Sequence, residues 1–412
     1  MAMARTVAEL PKGVRITDYI SIGVLAKAIP LAAVRRVLAE TGRASQRERL
    51  CPAHVMVYYV VFLALFMDTS CREVYWDLLE GLLWVFRRDL GAEAASRGGL
   101  SRARVRLGCE PVERLYRELV GPVAVREGPR RTRGAWYRDW RVVTWDGSTL
   151  DVADTEANDA AFGRPSASRG RSGFPQVRFV ALVENGTHVM FGAQLGGCHT
   201  GETTLAVEML GLLRPDMLLL ADRLFFSYAL WRRARQSQAA LVWRVKCGQR
   251  FPCLKRLADG SYLSKIYPSD KDRRHDQNGI VVRVVEYTID GKADDEPFYR
   301  LITTLVDPEQ APAAELAALY HERWEIENTL DEFKTHLRGP RVVLRSKRPD
   351  LVRQEFFGFL LAHFAVRGLI HESALVADED PDELSFLHAV RVIQRKLPTF
   401  GAFPPSGLAD LA

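Results

Sequence analysis

Four side chains that can contact a phosphate or a metal ion recur at helical intervals within residues 320–339: Tyr320, Arg323, Glu327 and Lys334. At about 100° per residue, the last three lie within about 60° of Tyr320 on the same side of a helix. One ridge would therefore carry a phenol, two cations and a carboxylate. The alternative is that the charged members pair with one another, which stabilises a helix by only roughly 0.2–0.5 kcal/mol per pair.

An apolar stripe beside this ridge predicts that the same helix docks on the protein core. It consists of Leu319, Ile326, Leu330, Phe333 and Leu337. Charges at the edge of a buried face lose part of their hydration and need a partner or a ligand. The other acids of the segment are predicted to be ordinary surface groups: Glu322, Glu325, Asp331 and Glu332.

Two more carboxylates follow apolar runs that are typical of strands. Asp146 ends VVTWD and Asp222 ends MLLLAD, so each is predicted at the junction of a strand and a turn. A single aspartate there is more often a turn former or a helix cap. Together with Glu327, however, they could hold two Mg²⁺ ions about 4 Å apart, the arrangement that promotes in-line displacement at phosphorus.

The distribution of charge favours an acidic partner such as nucleic acid. The 412 residues carry a formal net charge of +6, and residues 101–145 hold eleven arginines against five acids, a local excess of the same size. Arg102, Arg104 and Arg106 are predicted on a short helix capped by Ser101, which would be either a DNA-reading helix or a solvated basic one. Nonspecific contacts to phosphates are predicted for Arg130, Arg131 and Arg133.

The elements that must position these groups divide the chain into successive regions. Hydrophobic and charged contents of 47% and 26% exclude a disordered or fibrous protein. We predict an α/β fold, a mixed sheet flanked by helices. The regions are a helical N-terminal domain (1–100), a basic DNA-binding segment (101–140), a core in two parts (141–246 and 306–345, the second with the Glu327 helix), a β-rich insertion (247–305) and C-terminal helices (346–412). No signal peptide or membrane span is predicted, and the six scattered cysteines fit a reducing cytoplasm.

Several stretches of the sequence resemble the bacterial DDE transposases of insertion-sequence family four. They are WDGSTLDVADTEANDAAFG, LLLADRLFFSY, the Tyr-x₂-Arg-x₃-Glu-x₆-Lys signature beginning at Tyr320, and ITDYISIGVLAKAIP through CREVYWDLL near the N-terminus. The resemblance implies an RNase H-like core interrupted by a β-rich insertion. It also implies a catalytic, metal-binding triad of Asp146, Asp222 and Glu327.

The same resemblance implies that Tyr320, Arg323 and Lys334 grip DNA phosphates. One departure is Leu224, where the family commonly has glycine, which puts the local turn in question. Family members that form hairpin ends hold an extruded base on an aromatic side chain near the end of the insertion. Phe298 or Tyr299 could serve, although alternating aromatics in a strand are more often part of the core.

The expected function is transposition. The protein would bind double-stranded DNA at the terminal inverted repeats of its element, cleave the ends with two Mg²⁺ ions, for which Mn²⁺ could substitute, and join the 3′-hydroxyl to target DNA. A homodimer is expected in the active complex, with no membrane partner, in the bacterial cytoplasm at the nucleoid. The alternatives are a two-metal nuclease that does not join DNA and a non-catalytic DNA-binding protein derived from a transposase.

Overall fold

The computed structural model describes residues 20–47, 50–86, 96–128, 131–167, 170–171, 173–288, 298–339 and 343–394. The N-terminal region is helical, as predicted. Its helices are α1 (Ile20–Ala28), α2 (Leu31–Glu40), α3 (Ala53–Leu65), α4 (Cys71–Phe86), α5 (Arg97–Leu107) and α6 (Glu110–Leu119).

The basic helix α5 begins earlier than the sequence predicts. The sequence predicts a cap at Ser101, but Ser101 lies inside α5, and Gly98 and Gly99 lie in its first turn. The N-cap is Ser96, whose hydroxyl accepts a hydrogen bond from the Gly99 N–H at 3.1 Å. The cap compensates for the low helix propensity of the two glycines, so the predicted cap at Ser101 was wrong.

A ten-stranded mixed sheet forms the centre of the protein. Its strands are β1 (Trp136–Tyr137), β2 (Trp140–Asp151), β5 (Gln176–Glu184), β6 (Val189–Gly197), β7 (Met217–Ala221), β8 (Ala240–Arg244), β9 (Lys255–Arg256), β10 (Tyr262–Ile266), β11 (Ile280–Tyr287) and β12 (Tyr299–Thr303); β3 (Ser166–Ala167) and β4 (Gly170–Arg171) form a separate hairpin. Within the order β6-β5-β2-β7-β8, the β2–β5 and β5–β6 pairs are antiparallel, whereas the β2–β7 and β7–β8 pairs are parallel. This is the strand arrangement of the RNase H-like fold, as predicted.

The β-rich insertion extends the same sheet. Strand β12 pairs antiparallel with β8, and β11, β10 and β9 follow outward from it. Tyr299, at the start of β12, is buried and stacks on Tyr287 with ring centroids 5.4 Å apart. That packing favours the core role for Tyr299 over a role in holding a base.

Helices cover the sheet and complete the fold. They are α7 (Glu156–Phe162), α8 (Glu202–Met209), α9 (Tyr228–Ala234), α10 (Asp270–Arg274), α11 (Ala313–His321), α12 (Glu325–Asp331), α13 (Pro349–Ala377) and α14 (Phe386–Gln394). Among the described residues, α13 is the one helix long and apolar enough to cross a membrane. However, 61% of its most apolar stretch is buried inside the protein, where it packs on α3 and α6. It is therefore the central helix of the core.

The segment around Glu327 is not one regular helix. A 3₁₀ turn at 322–324 separates α11 from α12, and a π-helical segment at 332–337 follows α12. The predicted angular positions assumed 100° per residue throughout, and they do not hold across these irregular turns. The apolar stripe is nevertheless buried at all five positions, which confirms that this segment docks on the core.

Candidate active site

Asp146 lies in the middle of a strand, although the sequence predicts it at a strand end. Strand β2 continues through it to Asp151 and pairs with β5 along this whole length, with Asp146 opposite Ala181. On the other edge, the last residue pair with β7 is Thr144–Leu220. Pairing with β5 therefore holds the Asp146 backbone rigidly on one edge of β2. The other edge of β2 faces the space beyond the end of β7.

Asp222 follows the last residue of β7, as predicted. In the parallel register, Asp146 and Asp222 each lie two residues beyond the Thr144–Leu220 pair, on the same face of their strands. The carbonyl oxygen of Asp222 accepts a hydrogen bond from the Phe225 N–H at 3.0 Å, which closes the turn. Leu224 does not disturb this turn, because its φ is not positive and the residue is 64% exposed, so the position does not require glycine.

Arg323 connects the first aspartate to Glu327. Its Nη1 lies 3.6 Å from Asp146 Oδ2, and its Nη2 lies 3.5 Å from Glu327 Oε1. The arginine is only 8% exposed, whereas the Glu327 side chain is 47% exposed and faces solvent. A buried cation therefore sits between two of the three predicted metal ligands.

The electrostatics of this cluster disfavour the ionised form of Asp146. Burial, with a smaller contribution from the carboxylates of Asp222 and Glu202, raises the pKa of Asp146 to about 6 against the opposing effects of the Gly147 N–H and Arg323. Burial alone would lower the pKa of Arg323, but the acidic groups around it raise it overall. A bound cation would stabilise the ionised form of Asp146.

The other two members of the predicted ridge also lie beside the strand ends. The Tyr320 hydroxyl is buried and contacts the carbonyl oxygen of Ala221 at 3.4 Å, directly before Asp222. Lys334 donates a hydrogen bond to the Ser148 hydroxyl at 3.0 Å, two residues after Asp146. All six residues of the predicted triad and ridge thus lie around the end of β7, but Tyr320 is buried and has little surface left for contact with DNA.

Glu202, in the first turn of α8, is a neighbour of the site that the sequence did not reveal. A Cβ at Gly147 would lie 2.3 Å from the Glu202 Cδ, so this carboxylate packs directly on the backbone after Asp146. Its side chain also approaches Arg178, with 4.0 Å between the charged atoms. The sequence offers only a helix-start signal here, with nothing to connect position 202 to position 146.

Comparison with known proteins identifies the family. Residues 139–365, more than half of the chain, match the family described as "Transposase DDE domain", and residues 19–117 match "Insertion element 4 transposase N-terminal". The chain belongs to the IS4 family of DDE transposases. It is 28% identical over 393 residues to "Transposase InsG for insertion sequence element IS4" of Escherichia coli strain K12, which covers 92% of this chain and 83% of that protein. A cryo-EM structure of the piggyBac transposase synaptic complex with hairpin DNA matches 95% of this chain and 84% of that one, with 12% identity and a TM-score of 0.48.

DDE transposases use divalent metal, and the residues of this transposase fit such an ion. The donors are three carboxylates, the oxygen ligands that Mg²⁺ prefers. The guanidinium of Arg323 lies between two of them. The three carboxylates do not yet converge, since the one set of three ligand atoms within 4.8 Å of one another in the described chain lies elsewhere.

The predicted DNA-binding arginines fall into different structural settings. Arg102 and Arg106 are exposed on α5, as DNA contact requires. Arg104 instead donates hydrogen bonds to Gln354 Oε1 and the Ser346 hydroxyl, both at 2.9 Å. Its guanidinium is thus engaged in holding α5 against the start of α13, and its role in DNA binding stays a prediction.

The phosphate contacts predicted for Arg130, Arg131 and Arg133 stay a prediction. Arg131 and Arg133 are exposed, with Arg131 donating to the Arg138 carbonyl oxygen at 2.9 Å and Arg133 lying 3.6 Å from Asp378. Arg130 lies outside the described residues.

Two acids of the Glu327 segment are not the surface groups that the sequence predicts. Glu332 is buried, where Arg367 contacts both of its oxygens and His188 Nδ1 lies 3.0 Å from its Oε1. Burial alone would raise the pKa of Glu332, but Arg367 and His188 hold it well below its usual range. Glu325 accepts a hydrogen bond from the Gly186 N–H at 2.6 Å, and burial raises its pKa to about 8.

Proposed function

We propose that this transposase binds the terminal inverted repeats of its own element as double-stranded DNA, cleaves the ends and joins the freed 3′-hydroxyl to target DNA. The observation that carries the proposal is the position of Asp146 and Asp222 in register beyond the β2–β7 pairing, with Arg323 between Asp146 and Glu327. Carboxylates held rigidly around a buried cation are suited to binding metal ions next to phosphate.

Asp146, Asp222 and Glu327 are the residues that would hold two Mg²⁺ ions, with Mn²⁺ as a substitute. Bound there, the ions would supply an activated oxygen nucleophile and stabilise the leaving oxygen. Arg323 and Lys334 point from the neighbouring helix toward the same strand ends and would orient the phosphates on either side of the reacting one. Tyr320 would hold the end of β7 in place through the contact of its hydroxyl with the Ala221 carbonyl oxygen.

The reaction consists of two displacements at phosphorus. In the first, a water oxygen bonds to the phosphorus at the element's end, the bond from phosphorus to the 3′-oxygen breaks, and a 3′-hydroxyl is released. In the second, this 3′-oxygen attacks a target phosphorus and displaces the 3′-oxygen bonded there. No covalent protein intermediate is needed. Because two ends must be joined in one event, a homodimer is proposed for the active complex, acting on DNA in the bacterial cytoplasm.

The test uses precut DNA carrying the inverted repeat that flanks this coding sequence, with a free 3′-hydroxyl, and a supercoiled target plasmid with Mg²⁺ or Mn²⁺. The expected result is a covalent product of end and plasmid on a denaturing gel. Cleavage of uncut ends without joining would instead identify a two-metal nuclease. Binding with neither cleavage nor joining would identify a non-catalytic DNA-binding protein.

A further inference from the structure

Three potential metal ligands converge at a place separate from the proposed active site. They are His188 in the turn between β5 and β6, Glu325 at the start of α12, and Asp382 in the connection between α13 and α14. One ligand atom of each lies within 4.8 Å of the other two. His188 Nε2 lies 2.9 Å from Asp382 Oδ1 and 4.0 Å from Glu325 Oε2.

The histidine is oriented as metal-binding histidines are. It is 3% exposed, and its Nε2 makes no hydrogen bond of acceptable geometry although it faces both carboxylates. Its other nitrogen, Nδ1, lies 3.0 Å from Glu332 Oε1, and Arg367 holds Glu332 in place. The Arg367 guanidinium also contacts Nδ1. In most histidine–metal sites a carboxylate, a backbone carbonyl or a water on the far nitrogen orients the ring.

The backbone at the cluster is built for close approach. His188 has φ of 57°, a left-handed conformation that is strained for a residue with a Cβ. Gly186 has φ of 75°, and a Cβ there would lie 2.6 Å from the backbone of Arg133 and Ala135. The N–H of the same glycine holds the Glu325 carboxylate at 2.6 Å. The turn thus positions two of the three ligands at the expense of local strain.

We propose that His188, Glu325 and Asp382 bind one divalent transition-metal ion of the Zn²⁺ class. Such an ion takes imidazole nitrogen and carboxylate oxygen at about 2.0–2.2 Å, so tetrahedral ligands lie about 3.4 Å apart. This distance lies between the observed separations of 2.9 and 4.0 Å. The imidazole ligand distinguishes this site from the all-oxygen set preferred by Mg²⁺. The proposal does not depend on the DNA reaction proposed above.

The position of the site indicates its role. Glu325 and Glu327 are two residues apart on α12, and about 200° of rotation places them on nearly opposite sides of the helix. One ion therefore cannot use both glutamates. An ion at His188 would join the α13–α14 connection and the β5–β6 turn to the side of α12 that faces away from Glu327. It would thereby hold in place the helix that carries Glu327.

The test must separate this ion from any ion in the active site. The full-length chain carrying Asp146→Asn, Asp222→Asn and Glu327→Gln serves as the parent, and Zn²⁺ is titrated against a chromophoric chelator. The parent is expected to bind one equivalent of Zn²⁺. Adding Asp382→Asn is expected to lower the affinity at least about tenfold, since it removes one ligand of three. Adding Glu383→Gln, which removes a neighbouring exposed carboxylate, is expected to leave it unchanged.

A second measurement guards against misfolding of the variants. Zn²⁺ is expected to raise the thermal midpoint of the parent but not that of Asp382→Asn or His188→Gln, with circular dichroism showing that each variant is folded. Co²⁺ in place of Zn²⁺ is expected to give visible d–d bands that Asp382→Asn removes. The proposal is overturned by a parent that binds no Zn²⁺, or by undiminished binding in both ligand variants.

Discussion

The Arg323 guanidinium lies 3.6 Å from the Asp146 carboxylate. In this cluster the charged form of Arg323 favours folding, whereas the charged form of Asp146 disfavours it. Arg323 is 8% exposed, and a buried guanidinium needs the surrounding negative charge to be tolerated. Asp146 receives too little compensation in return, because burial and the neighbouring acids still raise its pKa. A bound metal ion would compensate the ionised form of Asp146 more fully than Arg323 does.

Asp146→Asn is expected to stabilise the metal-free protein while abolishing cleavage. A folded-state pKa of about 6 against the ordinary 3.8 means that ionised Asp146 disfavours folding at pH values above about 4, fully so above about 6. The shift corresponds to at most about 3 kcal/mol, and loss of the attraction to Arg323 reduces the gain. Urea unfolding in EDTA should show the variant more stable at pH 8 and equal to the parent near pH 3.5. A variant that is less stable at pH 8 would contradict the assigned electrostatics.

Glu327→Gln is expected to remove cleavage and leave DNA binding in place. The amide keeps the size of the side chain, but it replaces an anionic ligand, and loss of about 4 kcal/mol of stabilisation lowers the rate about 10³-fold. The matched control is Asp331→Asn, one turn later on α12 and exposed, where cleavage should be unchanged. Gel-shift titration and a cleavage time course measure the two properties separately. Equal losses in both variants would point to a general effect of charge on this helix.

The sequence predicted those parts of the site that depend on local signals. Asp222 was placed correctly because an apolar strand ends immediately before it. Asp146 was placed at a turn because Gly147 and Ser148 follow it, but β5 pairs with the strand well past this point. That pairing involves residues some thirty positions away, and no local pattern specifies it.

The error at Glu325 and Glu332 has a similar origin. Helical spacing assigned them to a surface, and it could not show that His188 and Arg367 approach from distant elements. The 3₁₀ and π-helical turns on either side of α12 also shift the side chains from the angular positions that a regular α-helix would give them. Charges on a docked helix acquire their roles from the partners that tertiary structure supplies.

Arg104→Ala and Arg102→Ala are expected to separate stability from DNA binding within one helix. Arg104 bridges α5 to Gln354 and Ser346, so its loss should cost about 2 kcal/mol in the free energy of unfolding. Arg102 is exposed, and its replacement should change stability by less than about 0.5 kcal/mol. If α5 contacts DNA, Arg102→Ala should also reduce the salt dependence of binding by about one phosphate contact. Unchanged affinity and salt slope would exclude Arg102 from the DNA interface.

Gly358→Ala and Gly368→Ala are expected to change stability in opposite directions, although both lie on α13. A Cβ at Gly358 would lie 2.7 Å from Val60 Cγ1 and 3.0 Å from the Val60 carbonyl oxygen, so α3 and α13 would have to separate. Overpacking of this kind costs about 1–3 kcal/mol, more than the gain in helix propensity of about 1 kcal/mol. At Gly368 no atom lies within 4 Å of the added methyl group, and the gain in propensity should appear alone. Thermal unfolding of both variants measures the contrast, and a Gly358→Ala protein as stable as Gly368→Ala would show that the two helices are not in contact at this point.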